Sequence, residues 1–263
     1  MPHGGFGTQD NRFDWFIDND LEFLIVPGLL DDGILVAFTT RNGGISDGPF
    51  SSLNLSHKVG DDIDSVHGNI ESVKRSWGHH DIARLLTLDQ VHGTNIIRVG
   101  DIDINNRAGT GADAVLVDGP SDALMLHFAD CLPVILIDKR HKRLVTIHAG
   151  WRGLADGITG KAVRLMIGEG SKSDDIEAYF GPSIRGCCFE VQGDIAARLG
   201  SDAGRTQKID LTGVAEGDII GLGVPAENIF DCDICTCCHE DRFFSYRRDG
   251  EKTGRQASIV KII

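Results

Sequence analysis

The chain has little that would attract a polyanion. Its 263 residues carry 26 Lys and Arg against 39 Asp and Glu, a formal charge of -13. Nucleic acid and anionic membranes are bound through an excess of basic residues, so neither is expected as the main partner. An anionic small molecule fits only where a few arginines converge. Long apolar runs are missing too. The longest, Ala123 to Ile137, is interrupted by His127, Asp130 and Pro133. A membrane-spanning helix needs about 20 predominantly apolar residues, so this stretch reads as buried strands. Nor does a basic segment followed by an apolar core open the sequence, since Met1 to Asp20 is polar, glycine-rich and acidic. That argues against a secretory signal and for a cytoplasmic location. The seven cysteines are an odd number, which excludes a complete intrachain disulfide framework. In a reducing compartment they are free for metal binding or catalysis, or serve as small buried hydrophobes.

Repeats, low-complexity segments and Pro/Ser-rich linkers are also absent. Residues 21–263 therefore read as a single domain preceded by a polar N-terminal extension, residues 1–20. With 41% hydrophobic and 25% charged residues, the composition suits a globular core. Leu35 to Thr40 reads as a strand ending at Arg41-Asn42-Gly43-Gly44. Ile63 to Trp77 has the helical spacing Ile63, Val66, Ile70, Val73. Strands are expected at Leu85 to Val91, Asn95 to Val99, Ala114 to Val117, Ala123 to Phe128, Val134 to Ile137, Leu144 to His148 and Ala178 to Phe180. Helices are expected at Leu154 to Ile167, Val191 to Leu199 and Leu211 to Leu222. Strand pairs with separated helices indicate an α+β fold, mixed sheets with flanking helices, rather than regular βαβ alternation.

The strands at 134–137 and 144–148 would form a hairpin. If its loop is centred on the Lys139–Arg140 bond, Cys131 faces His148 just beyond the paired strands, with Cβ atoms roughly 4.5–5.5 Å apart. A slip of one residue would put the two side chains on opposite faces. His92, in Asp89-Gln90-Val91-His92-Gly93, closes another expected strand beside a glycine and can project into a cleft. Two imidazoles and one thiolate make a three-ligand zinc set whose fourth position stays open, the arrangement found in catalytic rather than structural sites. Spacing alone leaves a second reading, in which His92 and His148 are hydrogen-bonded histidines and Cys131 is a core thiol.

The ordered set of short motifs is more specific than any one of them. Gln90-Val91-His92-Gly93, Ala129-Asp130-Cys131-Leu132-Pro133 and His148-Ala149-Gly150-Trp151-Arg152-Gly153 resemble the YfiH-type laccase-domain family. So do Thr40 to Gly44, Ser52-Leu53-Asn54-Leu55, Gly111-Ala112-Asp113-Ala114, Gly181-Pro182-Ser183-Ile184 and Phe244 to Asp249. The matches run from about residue 35 to the C-terminus. The resemblance implies an α/β sandwich of the YfiH and cysteine-hydrolase type, with zinc on His92, Cys131 and His148. It also implies phosphorolysis of adenosine, inosine, guanosine and methylthioadenosine, and hydrolytic deamination of adenosine. The usual zinc-deaminase signature, His-x-Glu with Pro-Cys-x-x-Cys, is absent, so deamination would use a different scaffold. The family's laccase name raises copper-dependent polyphenol oxidation. However, no His-x-His or His-Cys-His run is present and His79-His80 is the single adjacent pair, so a four-copper set is not expected, although one copper can replace zinc at the same three ligands. A third reading makes Cys131 a nucleophile and His148 its base, in a hydrolase of peptidoglycan fragments.

Phosphorolysis requires fixed cations or donors where negative charge develops. Arg41, beside two glycines, is the first choice, with Arg152 and Arg247 next and Arg248 adjoining. Asn54 would bond a substrate hydroxyl, or stabilise a turn. Asp113 and Asp130 are candidates to orient a histidine, or to cap a helix or turn. Cys232, Cys235, Cys237, Cys238 and His239 gather soft donors within eight residues, too short a segment to wrap a tetrahedral ion alone. Packing is the reading for these and for Cys187-Cys188, with Cys188 near the cleft.

Overall fold

Strands here are long, β-branched and apolar where they are buried on both faces, and they assemble into two stacked mixed sheets. The computed structural model describes residues 12–77, 82–102, 111–202 and 204–263; His79 and His80 lie outside them. The strands are β1 (Asp14–Asp18), β2 (Leu21–Ile25), β3 (Ile34–Thr39), β4 (Leu85–Leu86), β5 (Ile96–Arg98), β6 (Ala114–Asp118), β7 (Ala123–Phe128), β8 (Leu132–Asp138), β9 (Arg143–Ala149), β10 (Ile176–Phe180), β11 (Glu190–Val191), β12 (Gln207–Lys208), β13 (Ile229–Asp231) and β14 (Gln256–Ile262). The helices are α1 (Pro27–Asp31), α2 (Ile63–Ser76), α3 (Trp151–Ala155), α4 (Ile158–Gly168), α5 (Gly193–Arg198), α6 (Leu211–Ile220) and α7 (Tyr246–Asp249).

One sheet runs β1-β2-β3-β14-β7-β4 and the other β13-β10-β8-β9-β6-β5. Most neighbours are antiparallel, with β4–β7, β5–β6 and β10–β13 parallel. Side chains on successive strand residues point to opposite faces, and the core divides accordingly. Val115, Val117, Ile135, Ile137 and Leu144 meet Leu24, Val36, Phe38, Leu126 and Val260 between the sheets. The alternate residues Leu116, Val134, Leu136, Val145 and Ile147 pack outward against Leu154, Ile158, Ala162, Met166, Leu211, Ala215 and Ile219 of α3, α4 and α6. On the far side, Phe23, Leu35, Met125 and Ile259 pack on Val73 and Trp77 at the end of α2. The layers are thus helix, sheet, sheet, helix, a mixed α/β architecture. Each fully buried Val, Leu, Ile or Phe contributes about 1.5–3 kcal/mol, so this double core holds the strand ends in place. Among the described residues, no helix is long and apolar enough to cross a membrane.

Several expectations shift in detail. Leu154 to Ile167 is two helices, because Gly157 adopts φ +76 and interrupts the ladder. Leu85 to Val91 pairs as a strand only at Leu85 and Leu86, followed by an isolated bridge between Asp89 and Gly111. Val191 to Leu199 divides into β11 and α5. The segment before residue 21 contributes β1, which pairs antiparallel with β2.

The β8–β9 hairpin is offset from the expected centre. Asp138 pairs with Arg143 and Pro133 with His148, so the loop is centred on Arg140–His141. Asp138 sets this turn, accepting hydrogen bonds from the His141 backbone N–H at 3.1 Å and pairing with His141 Nδ1 at 2.7 Å. The pairing differs from the expected one by two residues, which preserves the face, and Cys131 still approaches His148.

Half-buried polar groups brace the end of β7. The Gln90 side chain bonds both the N–H and the C=O of His127, each at 2.8 Å. His127 Nε2 lies 2.9 Å from the Leu55 carbonyl. Burial, helped by the nearby Lys58 charge, pushes the His127 imidazole down from 6.5 to about 4, so it is neutral at physiological pH. The unfolded chain therefore takes up a proton at this histidine below pH 6.5 that the folded chain refuses until about pH 4. Stability from His127 is full above pH 6.5 and declines as pH falls toward 4. Urea unfolding between pH 7 and 4 should show a smaller loss of stability in His127→Gln than in the parent chain; identical slopes would contradict it.

Candidate metal centre and its cleft

Three strand ends deliver the three predicted ligands. His92 follows β4 and its bridge, Cys131 immediately precedes β8, and His148 is the penultimate residue of β9. One donor atom from each lies within 4.8 Å of the others. The His92 and His148 rings stand edge to face, 4.7 Å between centroids. His92 is exposed, Cys131 half-buried and His148 buried, so the cluster opens to solvent on one side only.

A single carboxylate organises it. Asp113, fully buried just before β6, accepts the backbone N–H groups of His92 at 2.9 Å, Gly93 at 2.6 Å and Val91 at 3.3 Å. It also pairs with His148 Nδ1 at 2.8 Å. That contact assigns Nδ1 the proton and leaves Nε2 as the donor toward the cluster, the usual arrangement of a metal-ligating histidine. His92 itself takes a left-handed backbone, φ +59, which turns its ring back over the site. Burial alone would raise the Asp113 pKa, but hydrogen bonds from His148, Gly93 and His92 hold its carboxyl below the usual range.

The electrostatics of the three donors are linked. Burial would push the Cys131 thiol up, yet hydrogen bonds and charge from His148 and His92 draw it down to about 6. His148 moves the other way: burial would lower it, but the Cys131 sulfur and Asp113 raise it to about 9. A site that stabilises thiolate beside cationic imidazole also suits a cation that replaces those protons. The donor set fits zinc, which takes His nitrogen and Cys sulfur in tetrahedral sites. A Cβ on Gly150 would come within 2.9 Å of His92 Cδ2 and 3.2 Å of Cys131 Sγ, and one on Gly153 would strike the Gly93 carbonyl at 2.8 Å. A larger residue at either position would push the segment that carries His92 out of place.

The cluster forms part of the wall of a cleft of about 1190 Å³. Lys58, Arg152, Arg247 and Arg255 bring positive charge to it, and Trp151, Phe189, Ile184 and Leu211 bring apolar surface. Arg152 lies over Trp151 at 4.5 Å and Arg247 over Phe189 at 5.2 Å. Arg247 Nη1 donates to the carbonyls of Glu190 at 2.7 Å and Cys188 at 3.3 Å. Arg255 Nη1 donates to the carbonyls of Thr253 and Gly254 at 2.8 and 2.9 Å.

Of the residues singled out for substrate, Arg152 and Arg247 line the cleft and Arg41 and Asn54 do not. The Arg41 guanidinium bonds the Ser51 and Glu240 carbonyls at 2.9 and 3.1 Å and covers Phe244, so it ties loops together. Asn54 is fully buried. Its amide nitrogen reaches Asp61 and the Ser56 carbonyl, and its oxygen accepts from the N–H groups of Ser56 and Arg255. Asp130 orients no histidine; it accepts from Thr236 Oγ1 at 2.7 Å and the Arg247 N–H at 2.6 Å. Arg248 Nη1 likewise serves the carbonyls of Thr236 and Cys237. Lys58 and Arg255 escaped the sequence reading. Arg255 borders no chemical motif, although its place after Gly254, at the start of a terminal apolar strand, was a usable signal.

Comparison with known proteins agrees with this geometry. Residues 35–263 match the family model described as multi-copper polyphenol oxidoreductase laccase. The purine nucleoside phosphorylase YlmD of Geobacillus stearothermophilus is 32% identical over 247 residues, covering 87% of this chain and 90% of that one. The purine nucleoside phosphorylase YfiH of Escherichia coli is 33% identical over 243 residues, 88% and 95% of the two chains. The crystal structure of YlmD from Geobacillus stearothermophilus superposes with TM-score 0.84 at 30% identity, covering 94% of this chain and 98% of that one. That of the Bacillus licheniformis YfiH protein gives TM-score 0.86 at 29% identity, covering 97% and 100%. On its motifs, its fold and the length of the match, the chain belongs to the YfiH-type laccase-domain family.

Proposed function

We propose that this chain is a cytoplasmic, zinc-dependent purine nucleoside phosphorylase that accepts adenosine, inosine, guanosine and methylthioadenosine and also deaminates adenosine. Residues 21–263 form the body of its catalytic domain, a sandwich of the cysteine-hydrolase type, to which the polar N-terminal segment adds β1. The observation that carries the reading is the meeting of His92, Cys131 and His148 at the wall of a cleft lined by Lys58, Arg152, Arg247 and Arg255. Relatives named purine nucleoside phosphorylases cover most of the chain, which supports the substrate class.

His92, Cys131 and His148 would hold the zinc, which when bound supplies a Lewis acid with a coordination position open to solvent or substrate. In phosphorolysis a phosphate oxygen bonds to the sugar C1′ as the bond from C1′ to the purine nitrogen breaks. The base leaves with that electron pair and takes up a proton. Arg152, Arg247 and Arg255 neutralise the phosphate and fix its approach, since charges placed in advance need no reorganisation during the reaction. The guanidinium groups of Arg247 and Arg255 bond neutral carbonyls rather than carboxylates, so their charge stays available to an anion. Trp151, Phe189 and Leu211 bound the apolar part of the cleft, where a purine ring excludes water. Copper at the same three donors is the laccase-like variant of this reading.

One arrangement favours a second reading. Asp113, His148 and Cys131 form a carboxylate–imidazole–thiol series, the order used by cysteine hydrolases. A Cys131 nucleophile acting on peptidoglycan fragments would keep its activity after chelation and lose it to alkylation, whereas the zinc enzyme loses activity to the chelator.

The test of the first reading incubates metal-analysed protein with adenosine, with and without phosphate. Adenine should appear only with phosphate, and inosine in both conditions; no product in either condition overturns the assignment. Arg255→Ala should lower kcat/KM for phosphorolysis about 100-fold while changing deamination little; an equal loss in both would show that Arg255 does not act on phosphate. Asp113→Asn should weaken zinc binding at the cleft about 10–100-fold, measured by competition with a chelating dye. Unchanged affinity would remove Asp113 from the role of organiser.

A further inference from the structure

The parallel strands β10 and β13 run side by side, with Ala178 opposite Ile229 and Phe180 opposite Asp231. Their pairing resumes beyond the strand ends: Ser183 bridges Cys235, Ser183 N–H donates to the Ile234 carbonyl, and Thr236 N–H donates to the Ser183 carbonyl. Each chain then makes a tight turn. In one, the N–H groups of Cys188 and Phe189 return to the Arg185 carbonyl; in the other, His239 N–H returns to the Cys235 carbonyl. The first turn carries Cys187 and Cys188 and the second Cys235, Cys237 and Cys238, and the register brings four of the five, Cys187, Cys188, Cys235 and Cys238, to one place.

Cys187, Cys188, Cys235 and Cys238 put four sulfur atoms within 4.8 Å of one another. The sulfur–sulfur separations are 3.7 Å for 187–188, 3.6 Å for 187–238 and 3.3 Å for 188–238. Sulfurs bonded to zinc at about 2.3 Å in a tetrahedron stand about 3.8 Å apart, close to what is seen here. A disulfide would require about 2.05 Å, and every cysteine is free. An iron–sulfur cluster spreads its thiolates over several irons, whereas four sulfurs this close surround one point. Within residues 232–239 alone the donors cannot surround an ion, but two cysteine pairs some 50 residues apart can.

We propose that Cys187, Cys188, Cys235 and Cys238 form a second, structural zinc site, separate from the cleft. It staples the two turns that hold the cleft wall. Arg247 bonds the Cys188 carbonyl, Arg248 the carbonyls of Thr236 and Cys237, and Asp130, next to Cys131, receives Thr236 Oγ1 and the Arg247 N–H. With four protein ligands the site leaves no open position, so its role is to fix loops, not to react.

The proposal does not depend on the cleft reading, and stoichiometry keeps the two apart. The full chain is loaded anaerobically with zinc under reductant, desalted, and its zinc per chain measured. Two ions are expected in the parent, one in Cys131→Ala and one in the Cys187→Ser/Cys238→Ser double variant. Cobalt-loaded Cys131→Ala should show the intense sulfur-to-metal absorption of a tetrathiolate, a measurement that leaves all four cluster cysteines intact. A zinc-free Cys131→Ala chain, or cobalt-loaded Cys131→Ala without that absorption, overturns the second site. So does a disulfide between these cysteines in the reduced parent. If the parent and Cys131→Ala both hold one ion and the double variant none, the second site stands and the cleft ligands fail.

Discussion

The buried carboxylate of Asp113 is the constraint on which the centre depends. It fixes the backbone carrying His92 through three N–H groups and the ring of His148 through Nδ1. Two of the three candidate ligands are therefore aimed by one side chain. A left-handed backbone costs a non-glycine residue roughly 1–2 kcal/mol, and His92 bears that cost at φ +59. Hydrogen bonds to an ionised carboxylate contribute about 1.5–3 kcal/mol each, so Asp113 more than offsets the strain. The same bonds supply what a buried charge needs, since an unpaired carboxylate at that depth would be strongly destabilising. Gly150 completes the arrangement by leaving room where any side chain would touch both His92 and Cys131.

Charge is distributed to match. The chain as a whole is strongly acidic, yet six basic residues line one cleft, two of them, Lys74 and Arg84, already paired with Glu71 and Asp122. They are not equivalent. Lys58 forms an ion pair with Asp89, and Arg247 is tied to the carbonyls of the cysteine-bearing turn. Arg152 rests on an indole face. Arg255 is held by carbonyls, and the charges of Asp130 and Cys131 are felt at its position. A dianion entering the cleft thus meets positive charge on the side nearest the three donors, while a neutral purine has apolar wall elsewhere.

Local patterns made much of this legible. Apolar runs located β7, β8 and β9, and a hairpin with one strand-end histidine suggested the candidate ligand trio, which the family resemblance then favoured over buried, hydrogen-bonded side chains. The hairpin centre was misplaced because Asp138 organises the turn one residue further on; period-two geometry made that error harmless to the face. What local patterns could not supply was contact between distant segments. Arg41 sits beside glycines as a phosphate ligand would, but its guanidinium is taken by the Ser51 and Glu240 carbonyls. Arg255 has no such surroundings and reaches the cleft because β14 threads between β3 and β7. The cysteines at 187–188 and 235–238 look like packing in either segment alone. Their meeting is a consequence of the parallel β10–β13 register, which no spacing rule encodes.

Anomalous diffraction at the zinc absorption edge, from crystals of the reduced, zinc-loaded chain, tests the central claim most directly. The account predicts a peak about 2.0–2.1 Å from one nitrogen of His92 and from His148 Nε2, and about 2.3 Å from Cys131 Sγ, with His148 Nδ1 still on Asp113. No peak between these donors, or a peak that leaves any one of them unbound, would contradict it.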